Sequence, residues 1–280
     1  MSAPVKEPQE QTPPPPKVTA IVVSHNRAGM LRRCLDALEK SAGREAIQAI
    51  VVENGSSDGS AQFEADYSSV QFIRLPKNFG LAKARNLGIR AAIGEYILFL
   101  HEDAEVEPDA IGALAAKLDA EPDATAACPL LIRANGDGAP QVGPLPAPEA
   151  PFPRFRPADE RAIESASGAA MMIRAFFFQA TRQIDERYGN YGVDAEICYQ
   201  IRRSNRRIAL VREARVVHHG GREWSPMILA DRTLGAAAFF SKHLGFVAGL
   251  KFRLVALLRG LASPSQFWYL IQGQKCDGGQ

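Results

Sequence analysis

Three short apolar runs near the start of the chain each end in a polar cluster, and this repeat restricts the fold more than any other feature. Val18 to Val23 runs into Ser24 to Arg27, Ala49 to Val52 into Glu53 to Asp58, and Tyr96 to Leu100 into His101 to Asp103. Runs of roughly four to six β-branched or aromatic residues bounded by turn formers read as strands buried on both faces. In a parallel sheet the carboxyl ends of such strands open onto one crevice, where ligands bind. The three clusters are therefore expected to converge on one site.

Stretches of helical period separate the runs. Residues 30–40 carry Met30, Leu31, Cys34, Leu35 and Leu38 at helical spacing, and residues 81–92 carry Ala82, Ala84, Leu87, Ile89 and Ala92. Alternating strand and helix predicts an α/β fold: a Rossmann-like, mainly parallel sheet flanked by helices on both faces. The composition, 46% hydrophobic and 23% charged over 280 residues, is ordinary for a globular chain, and a net charge of +2 is too small to point to nucleic acid. Arg174, Asp231, Lys242 and Lys251 interrupt the apolar stretches before the ~18 residues that a spanning helix needs. Cys34, Cys128, Cys198 and Cys276 form no CxxC pair, which predicts reduced core thiols and a cytoplasmic setting. No charged start leads into an apolar core, so no secretory signal is read. Nor does the chain carry GxGxxG after its first strand, GxxxxGK[ST], HExxH or GxSxG, which argues against a nicotinamide dehydrogenase, a P-loop enzyme, a zinc protease and a serine hydrolase.

Each polar cluster also has a plain structural reading. Asn54 to Asp58 is good turn chemistry, an acid such as Asp194 suits the first turn of a helix, and a lone strand-end histidine such as His218 is often structural. The order of the clusters adds a further reading. Asn26-Arg27, Val51 to Ser60, Asn78 to Gly88 and Leu98 to Asp103, followed by Gly168 to Arg174, Ile184 to Glu186, Gly192 to Cys198 and His218, resemble the ordered signature of family 2 glycosyltransferases with the GT-A fold. The resemblance covers roughly residues 18 to 245 and is nearest to rhamnosyltransferase-like members.

That resemblance implies an inverting, metal-dependent transfer of a sugar from a nucleotide diphosphate donor, dTDP-rhamnose or a UDP-hexose, to a glycan or lipid-linked acceptor in cell-surface polysaccharide synthesis. Transfer requires recognition of the nucleoside, positive charge on the leaving diphosphate and a base for the attacking hydroxyl. Ser24, Asn26, Arg27, Glu53, Asn78, Gly80 and Arg85 match the donor-binding positions, with Lys83 or Arg85 near the diphosphate. Asp103 matches the last carboxylate of the family's metal motif and His101 stands in place of its first acid. His218 matches a histidine that completes the shell around Mn²⁺ or Mg²⁺, the imidazoles favouring Mn²⁺. Asp194 matches the general base, Val193 replacing the customary glutamate before it; Glu102 is expected to point away, and Glu196 to orient Arg202, Arg203 or the acceptor. The departures at His101 and Val193 support one alternative, a sugar-nucleotide or glycan-binding module that has lost turnover.

The expected organisation is a proline-rich extended or disordered leader (1–17), a GT-A domain (18–230) and a helical extension (231–280). The domain divides into a nucleotide-binding half (18–128) and an acceptor half (129–230). Residues 133–158, with seven prolines and three glycines, read as a long irregular loop. In the C-terminal segment Val247, Leu250, Leu254, Leu257, Leu258 and Leu261 form an apolar stripe, and no acid lies between Ala236 and Ala262. Core packing or a homodimer seam is the first reading of that stripe; peripheral contact with the inner face of a membrane is the other.

Overall fold

The computed structural model describes residues 15–158, 163–220 and 225–273. The proline-rich leader therefore lies almost entirely outside the described residues. In chain order the strands are β1 (Val18–Ser24), β2 (Ile47–Glu53), β3 (Val70–Arg74), β4 (Tyr96–His101), β5 (Ala104–Val106), β6 (Ala124–Ile132), β7 (Val142–Gly143), β8 (Ser165–Ala166), β9 (Ala170–Arg174) and β10 (Arg207–His218). The helices are α1 (Ala28–Glu39), α2 (Leu81–Ala91), α3 (Ala110–Ala120), α4 (Ala175–Ala180), α5 (Val193–Arg203), α6 (Pro226–His243), α7 (Phe246–Gly260) and α8 (Pro264–Gln272).

Eight strands form one sheet in the order β3-β2-β1-β4-β9-β6-β10-β5. The β3-β2-β1-β4 half is parallel, β9 runs antiparallel between β4 and β6, β10 is parallel to β6, and β5 returns antiparallel along the end of β10. The apolar runs are continuous because both faces of the sheet are covered. In β1, Ala20 and Val22 pack into one cluster with α1 and α3, while Ile21 and Val23 pack into another with α2, α5 and α6. Leu98 and Leu100 against Ile97 and Phe99 divide β4 in the same way.

Close backbone approach fixes where the loops sit. A Cβ on Gly55, whose φ is +72°, would lie 2.3 Å from the Lys77 backbone, so the turn after β2 rests directly on the turn before α2. The helical extension expected from residue 231 is continuous with the main body. α6 starts at Pro226 behind a Ser225 cap and buries Ala236, Phe239 and Phe240 in the sheet's second cluster. Cys34, Cys128 and Cys198 are free and buried, as expected for core thiols, and Cys276 lies outside the described residues.

Candidate active site

Strand pairing assembles the carboxyl ends of β1, β2 and β4. The Asn54 amide donates to the Ser24 carbonyl at 2.9 Å, and the Leu75 amide to the Glu53 carbonyl at 2.8 Å. These bonds continue the ladders past the strands and lay three turns side by side. Asn26, in a left-handed conformation with φ 53°, accepts from the Ser57 amide at 2.8 Å. Asn54 donates to Asn78 Oδ1 and accepts from the Phe79 amide, both at 2.9 Å, while Asn78 Oδ1 also accepts from the Gly80 amide. Glu53 is buried, and its Oε1 accepts from the Ser56 amide at 2.8 Å. Gly80, with φ +84°, stands against Gly189, where a Cβ would meet backbone at 3.3 Å.

The expected donor residues thus come together, but several are turned inward as scaffold. Ser24 is fully buried with its carbonyl committed to Asn54, and Asn78 and Gly80 hold the turn instead of opening it. Asn54 is the joint between the turns, and its type was the available signal. A side chain that both donates and accepts suits a buried position between two loops.

A second group forms where β4 hands over to β5. The His101 amide donates to the Ala169 carbonyl, and three residues later β5 pairs back onto β10 with Ala104 opposite His218. This places Asp103 Oδ1 3.3 Å from His218 Nε2 and 3.9 Å from His101 Nδ1. The opposite oxygen, Oδ2, accepts from Arg27 at 2.7 Å, and the same guanidinium donates to the Gly220 carbonyl at 2.8 Å. Glu102 departs from expectation: it is buried, 3.9 Å from Arg27, because the chain crosses the end of the sheet here and no strand alternation turns it outward.

These three side chains fit a divalent cation. One ligand atom from each of His101, Asp103 and His218 lies within 4.8 Å of the others, and Asp103 Oδ1 is a buried oxygen with no hydrogen-bond partner among the described residues. Burial, aided by the Arg85 charge, pushes the His101 imidazole down to about 4, so at neutral pH it keeps a lone pair to offer. Burial alone would raise Asp103; His218, His101 and Arg27 outweigh it and hold the carboxyl below its ordinary value. A carboxylate with two imidazoles suits Mn²⁺ better than Mg²⁺.

Asp194 stands in the first turn of α5, within electrostatic reach of His101. Arg85 from α2 donates to its Oδ1 at 2.7 Å, and the Gly168 amide donates to its Oδ2 at 2.8 Å. Arg85 is almost wholly buried, donates also to the Gly168 carbonyl, and lies 4.3 Å above the Phe99 ring. Its charge is paired with Asp194, while Lys83 lies over the Phe79 ring at 4.2 Å. A Cβ at Gly168 would sit 2.1 Å from Asp194 Oδ1, so a larger residue there would push the carboxylate out of its present position. Burial raises Asp194, but the charges of Arg85 and His101 and the two hydrogen bonds hold it below the ordinary carboxylate range. Glu196 does not turn to Arg202 or Arg203. It pairs with Lys242 at 2.8 Å and His243 at 2.6 Å on α6, and accepts from Gln200 one turn along its own helix at 2.9 Å.

Residues 19–182 match the family described as glycosyl transferase family 2. The chain belongs to that family. The chain is 32% identical over 105 residues to glycosyltransferase GlyA of Streptococcus pneumoniae, covering 36% of this chain and 15% of that protein. It is also 32% identical over 107 residues to the succinoglycan biosynthesis protein ExoO of Rhizobium meliloti, covering 38% and 30%. These matches span less than a third of each relative's length. In three dimensions the family 2 domain is similar to residues 1–349 of TarS from S. aureus, with TM-score 0.60, 18% identity and coverage of 80% of this chain and 65% of that one. It is also similar to GalNAc-T7, solved with UDP, GalNAc and Mn²⁺, with TM-score 0.65, 17% identity and coverage of 80% and 47%. These likenesses establish the GT-A fold.

Proposed function

We propose that this chain is an inverting glycosyltransferase that moves a sugar from a nucleotide diphosphate donor to a glycan or lipid-linked hydroxyl. The observation that carries the reading is that a cation-ready Asp103 and an ionised, tightly held Asp194 both act electrostatically on His101. A divalent cation held by His101, Asp103 and His218 would supply positive charge against the leaving diphosphate. Arg27 orients Asp103 by taking its second oxygen, which leaves Oδ1 for that ion.

Asp194 would take the proton of the acceptor hydroxyl as the new glycosidic bond forms. Its side chain keeps 27% exposure, and a carboxylate that accepts two hydrogen bonds still has lone pairs for a third donor. Arg85 and the Gly168 amide would fix its direction, acting as positioning groups. Asn26, Glu53 and Asn78 would shape the nucleoside side of the crevice. The similar structures of TarS with UDP-GlcNAc and GalNAc-T7 with UDP favour a UDP-hexose type of donor over dTDP-rhamnose.

Release of nucleoside diphosphate from a panel of UDP- and dTDP-sugars, with Mn²⁺ and with or without acceptor glycans, tests the reading. Acceptor-stimulated release that a chelator abolishes is the expected result. Tight donor binding without release under any acceptor would instead make the chain a sugar-nucleotide-binding module and overturn the proposal.

A further inference from the structure

The apolar stripe of α7 faces away from the protein. Phe246, Leu250, Leu254 and Leu258 recur every fourth residue, and with Val247 and Leu261 they form one exposed face; Phe246 is 73% and Leu258 68% accessible. The opposite side of the helix carries the small residues that meet α6. A Cβ on Gly249 would collide with Ser241 Oγ and the Ala237 carbonyl, and Phe252 stacks edge-on to Phe240 at 5.1 Å. A surface helix normally turns its large apolar residues inward. Here the relation is inverted, and Trp268 on α8 is a further exposed aromatic at 58%.

Charge selects what would cover this face. From Arg232 to Cys276 the sequence contains no Asp or Glu, whereas Lys251 and Arg259 are exposed beside the stripe and Arg253 lies on its other flank. In a twofold dimer built on this face, the cations of each copy would meet those of the other with no carboxylate on α7 or α8 to balance them. An anionic bilayer satisfies both components, apolar area and cations, at once. Among the described residues no helix is long and apolar enough to cross a membrane, so the contact would lie in the plane of the interface.

We propose that the outward face of α7, with the exposed Trp268 of α8, docks on the surface of an anionic lipid bilayer. The neighbouring α6 also holds the loop beside Asp194: Asp231 accepts from the Asn190 amide at 2.9 Å, and Gly235 closes against Tyr191. Docking would thereby fix the acceptor side of the crevice relative to the lipid surface. Vesicle binding requires no donor or metal, so its outcome is independent of the catalytic reading.

Flotation of the full chain with phosphatidylcholine vesicles, with and without phosphatidylglycerol, tests the proposal. Binding to the anionic vesicles that weakens with salt is expected. Lys251→Gln with Arg259→Gln should lower partitioning about thirtyfold, two cations' worth at an anionic surface. Leu254→Glu with Leu258→Glu should abolish flotation with an unchanged thermal melt, since both side chains are exposed. The proposal is overturned by absence of flotation at low salt, by equal binding to neutral vesicles at all salt concentrations, or by a dimer that the Leu254/Leu258 pair dissolves in a chain that binds no vesicle.

Discussion

Asp194 accepts from a buried guanidinium through one oxygen and from a backbone amide through the other, and those two bonds would govern the proposed role as a base. They keep it ionised at neutral pH and fix its direction at the cost of basicity. Asp194→Asn preserves the shape and removes the proton acceptor, so transfer should fall by about 10²- to 10⁴-fold while donor affinity holds. Acceptor-dependent turnover and donor calorimetry on the same preparation check this. Parent-rate transfer by the variant would assign the base elsewhere.

Arg85 offers a separate test through pH. Its charge depresses the folded pKa of Asp194, so the carboxylate stays ionised down through the ordinary carboxylate range. In Arg85→Met, burial acts on Asp194 with less opposition, and the acid limb of the turnover profile should move to higher pH. An unmoved limb would mean that Asp194 does not set it. At this scale the places of His101, Asp103 and His218 after apolar runs were readable in the sequence, and Asp194 was singled out by the family resemblance. The commitment of Arg85 was not readable, because its partner lies 109 residues away and only the folded chain joins them.

At the scale of elements, the joint between α5 and α6 is electrostatic. Glu196 is buried and meets the Tyr188 hydroxyl at 2.8 Å, His243 at 2.6 Å and Lys242 at 2.8 Å, while Lys242 also reaches Asp185 at 2.9 Å. Removing one partner from such a cluster leaves the others buried and uncompensated. Glu196→Ala should therefore destabilise the fold by about 3 kcal/mol in urea unfolding. A loss within the range of a surface pair would show that water relaxes into the site.

Burial pushes Asp185 and Glu196 upward, but their partners outweigh it: Arg187 and Lys242 for Asp185, and Lys242, Gln200, His243 and Tyr188 for Glu196. Both folded pKa values are depressed. A depressed carboxylate contributes stability that is complete above its unfolded value and lost as pH falls through its folded one. Unfolding free energy should therefore decline on the acid side of the ordinary carboxylate range, less steeply in Glu196→Ala. Melts across that range measure both slopes.

Over the whole molecule, the proposed donor and cation site lies where three turns and a strand crossover meet, so occupancy should stabilise the entire fold. A nucleoside diphosphate with Mn²⁺ at a hundredfold excess over its dissociation constant adds about 2.7 kcal/mol if it binds only the folded state. The melting temperature should rise with both present, fall back with chelator, and stay unmoved in Asp103→Ala. A full shift in that variant would remove Asp103 from the cation site.

The apolar runs and helical periods by themselves determined the α/β class, the strands β1, β2 and β4, and the polar clusters at their ends, because burial on both faces imposes a local pattern that each segment carries alone. Tertiary structure decided the rest. The antiparallel entry of β9, the pairing of β5 with β10 that brings His218 to Asp103, and the outward turn of the α7 stripe depend on which surfaces meet. An amphipathic period states that a helix has an apolar face. The direction of that face is set by the neighbour that fits the other side, here α6 against Gly249 and Phe252.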